Sequence, residues 1–142
     1  MSYPTSPASG LILLVEDNAS LCTCLKQFLA DQGYETVSAG TLGEGLTLLA
    51  EYRPWLCLLD MNLPDGSGLE LLHRVVAGGL GCRVIVMTAF DLPDLRPANA
   101  AGVLAAWMNK PVDPAELMQL VKAEENRQSD TMVEADTSCP CR

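Results

Sequence analysis

The sequence predicts an α/β protein built on one parallel, doubly wound sheet. Strand-length apolar runs alternate with amphipathic helical patterns along the 142 residues, which is typical of repeated βα units. The runs are continuously apolar rather than alternating, as expected for strands that helices cover on both faces. Polar residues follow the runs, where open α/β sheets bind their ligands. We therefore expect five βα units joined by right-handed crossovers.

Apolar runs and helical spacings define most of the predicted elements. The clearest strand candidates are Leu11–Val15, Trp55–Leu59, Arg83–Met87 and Ala105–Met108. Helical faces are formed by Leu21, Leu25, Phe28 and Leu29, by Leu42, Leu46 and Leu49, by Leu69, Leu72 and Val76, and by Leu117, Leu120 and Val121. Three helices open with a capping box: Thr41 with Glu44, Ser67 with Glu70, and Asp113 with Glu116. These boxes fix the predicted helix starts.

One helix of the pattern is expected to be abnormal. The segment between Thr88 and the last strand contains Pro93 and Pro97, where a fourth helix is due. A proline inside a helix removes a backbone hydrogen bond and clashes with the preceding turn. A helix starting near Pro97 would be very short before Gly102. We therefore predict a short or irregular fourth helix.

Composition and charge exclude several classes of protein. The formal charge is −9 and the nine basic residues are scattered, which argues against nucleic-acid binding by this chain. No apolar run approaches the roughly 20 residues that span a bilayer. Residues 1–9 read as a disordered leader and the acidic residues 124–142 as a disordered tail, which leaves a domain over residues 10–123. Without an export signal, a cytoplasmic location is the default.

Six cysteines are present, and we expect free thiols because disulfides are uncommon in a reducing compartment. Four of them fall in strand or helix patterns that accommodate small apolar residues. Cys139 and Cys141 lie at the end of the chain, without the histidine or second cysteine pair that a zinc site needs.

The polar residues after the strand runs form a chemically coherent set. If the strands are parallel neighbours, the set meets at one sheet edge: Glu16, Asp17, Asp60, Thr88 and Lys110. Asp60 is the candidate nucleophile, because a carboxylate can accept a phosphoryl group as an acyl phosphate. Asp17 and Asp60 are the predicted direct ligands of Mg²⁺, with Glu16 acting through water. Lys110 and the Thr88 hydroxyl would hold phosphoryl oxygens. Without metal, the clustered carboxylates should raise at least one pKa.

Each of these residues also has an ordinary structural interpretation. An aspartate after a strand commonly caps a turn or helix, and Asp17–Asn18 could cap the first helix. A lysine before proline is commonly solvated surface, and a threonine commonly ends a strand. The functional interpretation depends on finding the whole set at the same end of successive units.

The motifs resemble the receiver domain of two-component response regulators, the CheY-like superfamily. The matching segments are Leu11–Asp17, Leu58–Gly66, Val84–Ala89 and Lys110–Pro111. The resemblance covers about residues 10–123 and implies a flavodoxin-like (βα)₅ fold with strand order 2-1-3-4-5. It also implies Mg²⁺-dependent phosphoryl transfer to Asp60 from a phosphohistidine on a sensor histidine kinase or a phosphotransfer protein.

The resemblance further implies roles for two residues. The backbone carbonyl of Asn62 would complete the protein ligands of the metal. Trp107 takes the position of the switch aromatic, which is usually Tyr or Phe.

The fourth helix is the usual dimerisation surface of the family, so its prolines predict a monomer. The expected output is binding to an unknown downstream protein.

Three other functions fit parts of the pattern. The chain could be a receiver fragment of a longer DNA-binding or enzymatic regulator, because no effector domain follows residue 124. Haloacid-dehalogenase phosphatases also order an aspartate nucleophile, a threonine and a lysine, but the second acid they need is replaced by Asn62. We therefore expect no enzymatic turnover of an external substrate. A pseudo-receiver that only binds partners is disfavoured by the intact acidic pair and by Asp60, Thr88 and Lys110.

Overall fold

The computed structural model describes residues 10–78, 81–89 and 102–137, with side chains described as far as residue 127. The strands are β1 Ile12–Val15, β2 Thr36–Ala39, β3 Leu56–Asp60, β4 Asn62–Leu63, β5 Gly66–Ser67, β6 Arg83–Thr88 and β7 Leu104–Asn109. The helices are α1 Ala19–Asp31, α2 Leu42–Tyr52, α3 Gly68–Gly78 and a C-terminal helix, Pro114–Thr137. Strands therefore alternate with helices, as the apolar runs predict.

The main sheet is parallel and doubly wound. Its order is β2-β1-β3-β6-β7, while β4 and β5 form a separate antiparallel hairpin. Counted within the main sheet alone, the order is 2-1-3-4-5. The predicted flavodoxin-like fold class is therefore confirmed. The order reverses beside β1, so the carboxyl ends of β1 and β3 border the crevice in which such sheets bind ligands.

Alternate residues of the central strands pack into two separate cores. Ile12 and Leu14 of β1 belong to the layer that contains α1 and the C-terminal helix. Leu13 and Val15 belong to the layer that contains α2 and α3. All four side chains are fully buried. Helices thus cover both faces, which explains why β1 reads as a continuous apolar run.

Polar caps set the helix starts. Thr41 Oγ1 accepts a hydrogen bond from Glu44 N (3.1 Å), as a capping box requires, whereas Glu44 Oε1 accepts from Gly40 N (2.9 Å), the residue before the cap. Asn18 caps α1 by accepting from Leu21 N (2.9 Å). The ordinary interpretation of Asn18 as a cap is therefore correct, and it is compatible with a functional role for its neighbours.

The C-terminal helix does not stop at residue 123, where the sequence predicts the end of the domain. It continues to Thr137, and the buried Glu124 carboxylate pairs with Arg83 Nε at 2.7 Å. Glu125 Oε1 accepts a hydrogen bond from the Tyr34 hydroxyl (2.5 Å). Residues 124 and 125 are therefore ordered parts of the domain. In the sequence alone, the charges of these two residues suggest a solvated tail. Their partners, which lie 41 and 91 residues away in sequence, become evident only in the folded structure.

Several predictions fall outside the described residues. These are the leader over residues 1–9, most of the segment with the short or irregular fourth helix, and the terminal thiols Cys139 and Cys141. Within the described part, Cys22, Cys24, Cys57 and Cys82 are free thiols, as expected. None of the described helices is long and apolar enough to span a membrane.

Candidate functional site

Three carboxylates meet at the carboxyl end of the sheet. Glu16 and Asp17 follow β1, and Asp60 is the last residue of β3. Val15 is in register with Leu59 across the β1–β3 ladder, so Glu16 lies next to Asp60. Carboxylate oxygens of the three acids lie within 4.8 Å of one another. The predicted acidic cluster is therefore present.

Lys110 connects two of these carboxylates. Its Nζ atom lies 2.8 Å from Glu16 Oε1 and 3.1 Å from Asp60 Oδ2. The backbone fixes its place at the end of β7, because Lys110 N donates to the carbonyl oxygen of Thr88 at 2.8 Å. The Lys110–Pro111 peptide bond is cis. The ammonium group thus lies between the two buried acids.

Asp60 is held from two directions. It is 3% exposed, and its Oδ1 atom accepts a hydrogen bond from Asn62 N at 3.0 Å. Its Oδ2 atom accepts the hydrogen bond from Lys110. Thr88 ends the neighbouring strand β6, where the preceding residue Met87 is in register with Asp60, and Thr88 is buried. The carboxylate therefore has a defined orientation beside a threonine-bearing strand end.

Burial dominates the electrostatics of the site. The pKa of Glu16 is raised, chiefly because burial disfavours its charged form, while Lys110 opposes the rise and Asp60 adds to it. The predicted rise is thus confirmed, but repulsion between carboxylates is a lesser cause than burial. For Lys110, burial alone would lower the pKa, yet the Glu16 and Asp60 carboxylates outweigh burial and the net shift is upward. Lys110 therefore remains a cation.

The donor set fits a hard divalent cation. Glu16 Oε1 is buried, and its close contact is the 2.8 Å ion pair with Lys110 Nζ. Asp17 is exposed at the mouth of the cluster. Carboxylate and carbonyl oxygens are the ligands that Mg²⁺ takes, and it retains several waters. Asn62 begins β4 two residues beyond Asp60, and its side chain is exposed.

Trp107 lies on β7, three residues before Lys110. Its side chain is 53% exposed, whereas the next residue, Met108, is buried in the sheet core. Trp107 is in register with Val86 of β6, two residues before Thr88. The predicted switch aromatic therefore lies on the surface of the strand that positions Lys110.

Two residues near the site were not predicted from the sequence. The Asp65 carboxylate accepts hydrogen bonds from Leu42 N (2.7 Å) and Gly43 N (3.0 Å) at the start of α2. Gly68 opens α3 so close to β3 that a Cβ atom there would lie 2.5 Å from the carbonyl oxygen of Asp60. Asp65–Gly66 reads only as a turn, so the sequence carries no signal for the contact with α2.

Comparison with known proteins identifies the family. Residues 12–122 match the response regulator receiver domain. The chain is 33% identical over 112 residues to sporulation initiation phosphotransferase F of Bacillus subtilis (strain 168), which covers 78% of this chain and 90% of that protein. It is 34% identical over 124 residues to the DNA-binding response regulator MtrA of Mycobacterium tuberculosis (strain ATCC 25618 / H37Rv), over 87% of this chain and 54% of that protein.

A solved structure supports the same family assignment. The CheY-like response regulator receiver domain protein from Methanospirillum hungatei JF-1 superposes with a TM-score of 0.78 at 30% identity, covering 86% of this chain and 98% of that one. The chain therefore belongs to the response regulator receiver family of two-component signalling. Receiver domains use Mg²⁺ and interact with sensor kinases or phosphotransfer proteins.

Proposed function

We propose that this protein is the phosphoacceptor of a two-component phosphorelay and that Asp60 carries the phosphoryl group. The observation that supports this most strongly is the contact of Asp60 Oδ2 with Lys110 Nζ, within reach of two further carboxylates. A structural role alone does not require three acids and a partly buried ammonium at one sheet edge. Phosphoryl transfer does, because it needs an oxygen nucleophile, a cation site and a fixed positive charge.

The proposed reaction uses the residues as follows. A carboxylate oxygen of Asp60 attacks the phosphorus of a phosphohistidine, the P–N bond breaks as the new P–O bond forms, and the imidazole nitrogen keeps the electron pair. Lys110 leaves its ion pair with the carboxylates to contact a phosphoryl oxygen. The Thr88 hydroxyl donates to another phosphoryl oxygen. The product is an acyl phosphate on Asp60.

Mg²⁺ is the proposed cofactor of this site. Asp17 and Asp60 would hold it directly, Glu16 through a water molecule and Asn62 through its backbone carbonyl. When bound, the ion offsets the repulsion between the carboxylate and the incoming phosphoryl group. The proposal is supported by the three carboxylates, whose oxygens lie within 4.8 Å of one another.

The proposed partners are a histidine kinase or phosphotransfer protein upstream and an unidentified protein target downstream. We place the protein in the cytoplasm, because the ATP that charges a histidine kinase is found there. We also propose that it catalyses its own phosphorylation and dephosphorylation without turning over an external substrate. Asn62 supports this, because it cannot act as the second acid that a phosphatase of this kind would use. The protein is expected to be a monomer.

A second possibility is that the chain is the receiver module of a longer regulator. It is favoured by the alignment with MtrA, of which this chain spans 54%. The alignment with the phosphotransferase spans 90% of that protein and favours a receiver that acts alone. The mass of the natural protein in cell extract, detected with an antibody to this chain, separates the two possibilities.

Intact-mass spectrometry tests the proposed function. Wild-type protein incubated with acetyl phosphate and Mg²⁺ should gain the mass of one phosphoryl group, and the same mixture with EDTA should give no gain. Asp60→Asn should gain nothing under either condition. Labelling of Asp60→Asn at the wild-type level would refute the assignment. Sustained release of phosphate from p-nitrophenyl phosphate would instead indicate a phosphatase.

A further inference from the structure

The 62–67 hairpin, formed by β4 and β5, begins directly beyond Asp60. It pairs Asn62 with Ser67 and Leu63 with Gly66. Its first residue donates the hydrogen bond from Asn62 N to Asp60 Oδ1. At its far end, Gly68 N donates to the carbonyl oxygen of Met61 at 2.9 Å. The position of the hairpin therefore determines where one oxygen of the Asp60 carboxylate is held.

The tip of the hairpin is bound to α2. The Asp65 carboxylate accepts from Leu42 N and Gly43 N, one amide on each oxygen. The backbone also approaches α2 closely at the next residue, where a Cβ atom on Gly66 would lie 3.0 Å from Leu42 Cδ2. The helix in turn packs closely on β1 and α3: a Cβ atom on Gly45 would lie 3.1 Å from both Val15 and Leu71. The hairpin is thus held by an element that packs directly against the core.

Capping alone does not explain this contact. The Thr41 hydroxyl already caps the start of α2 and Glu44 accepts from Gly40 N, and both residues belong to the same stretch of chain as the helix. Asp65 lies 22 residues beyond Gly43 and joins two separate elements. The two amides hold the pKa of the Asp65 carboxyl below its usual range, so the carboxylate stays charged at neutral pH.

We propose that Asp65 is a positioning residue for phosphoryl transfer: by fixing the hairpin to α2, it aligns the Asp60 carboxylate through Asn62. The inference rests on the proposed function of Asp60. Asp65 does not contact Asp60, and its effect passes through the backbone of the hairpin. Loss of the two hydrogen bonds would let the hairpin shift and would misalign the nucleophile.

Three full-length variants test the proposal. Asp65→Ala removes both acceptors, Asp65→Asn removes the charge but keeps one carbonyl acceptor, and Thr41→Ala weakens the same helix start without touching the hairpin. Each is compared with wild type for the rate of phosphorylation by acetyl phosphate at saturating Mg²⁺, for the half-saturating Mg²⁺ concentration and for the urea midpoint of unfolding. Since Ala and Asn both remove the charge of Asp65, their comparison separates alignment from electrostatics.

Asp65→Ala should lower the phosphorylation rate by about tenfold, because a small misplacement of a reacting group is costly. It should also raise the half-saturating Mg²⁺ concentration, since the hairpin carries Asn62. Asp65→Asn should fall between Ala and wild type. Thr41→Ala should lower the urea midpoint while the phosphorylation rate stays within about twofold of wild type.

Equal rates for Asp65→Ala and Thr41→Ala, after both are confirmed to be folded, would overturn the inference. So would equal rates for the Ala and Asn variants, because the effect would then follow charge rather than hydrogen bonding. In both cases the wild type is phosphorylated and the proposed function stands. If the wild type takes no phosphoryl group, the proposed function fails together with the inference.

Discussion

Glu16 and Asp17 are adjacent in sequence but have different surroundings. Glu16 is 2% exposed, and its two oxygens face Lys110 and Asn18 N, the latter at 3.1 Å. Asp17 is exposed at the mouth of the cluster. A cation arriving from solvent can bind Asp17 without displacing an existing contact. Binding Glu16 directly would instead require the Lys110 ion pair to open.

This difference predicts the order in which the two acids affect metal binding. We expect Mg²⁺ to bind in the millimolar to submillimolar range, as is typical of sites that keep several waters. Glu16→Ala should weaken binding by about tenfold, as the loss of an outer contact does, and Asp17→Ala should weaken it more. Isothermal titration measures both variants, with Glu116→Ala on the exposed face of the C-terminal helix as control. A stronger effect at Glu16 would contradict the proposed ligand geometry.

At the residue scale, the sequence predicts the cluster but not its supports. Glu16, Asp60 and Lys110 each follow an apolar run, so parallel pairing alone brings them together. The contacts of Asp65 with the amides of α2 depend on how the hairpin packs against α2. No local sequence pattern predicts that packing. The raised pKa of Glu16 follows from its burial, which also depends on the assembled fold.

At the scale of elements, β7 carries two residues with different proposed roles. Lys110 follows its last residue and faces the carboxylates, while Trp107 is half exposed on the strand. A change in the position of Lys110 on phosphorylation would therefore act on the strand that bears Trp107. We expect this coupling to shift a two-state equilibrium toward the state in which the Trp107 side chain is turned inward.

Indole fluorescence tests this coupling. Addition of beryllofluoride with Mg²⁺, which mimics the phosphoryl group, should change the emission of wild type and change that of Trp107→Phe much less. Trp55 serves as the internal control, because it is buried at the start of β3 and its Nε1 atom donates to the carbonyl oxygen of Gly10 at 3.0 Å. An equal change in wild type and Trp107→Phe would show that the fluorescence change does not come from Trp107.

Helix starts could be predicted from local capping patterns. Thr41 and Asn18 act as caps, because a cap depends on residues three positions apart. The predicted domain boundary at residue 123 falls within the C-terminal helix, because Glu124 was assigned to a solvated tail. Its position continues the buried face of Leu117 and Val121, but a glutamate on that face is stable only with a partner. That partner, Arg83, belongs to a distant strand.

At the scale of the whole molecule, the Arg83–Glu124 pair joins three elements. Arg83 Nε and Nη2 donate to the two oxygens of Glu124 at 2.7 and 2.9 Å, and Nη1 donates to the carbonyl oxygen of Gly102 at 2.6 Å. The pair thus links β6, the approach to β7 and the C-terminal helix. It lies at the start of β6, the opposite end of the strand from Thr88.

Removal of this pair should affect stability without affecting the chemistry. Glu124→Ala leaves a largely buried guanidinium without its carboxylate and should lower the free energy of unfolding by about 3 kcal/mol. Urea denaturation measures the loss, and Glu116→Ala, an exposed acid on the same helix, should lose far less. The rate of phosphorylation by acetyl phosphate should be unchanged in folded Glu124→Ala. An unchanged free energy of unfolding in Glu124→Ala would show that the Arg83–Glu124 pair does not stabilise the packing of the C-terminal helix.

The central claim is that Asp60, and no other carboxylate of the cluster, accepts the phosphoryl group. Borohydride reduction converts an aspartyl phosphate to homoserine and a glutamyl phosphate to hydroxynorvaline, so peptide mapping after reduction locates the modified residue directly. Protein treated with acetyl phosphate and Mg²⁺ should contain homoserine at position 60 alone, and EDTA should abolish it. Homoserine at position 17 or 65, hydroxynorvaline at position 16, or the absence of homoserine from a fully folded sample with bound Mg²⁺ would contradict the assignment.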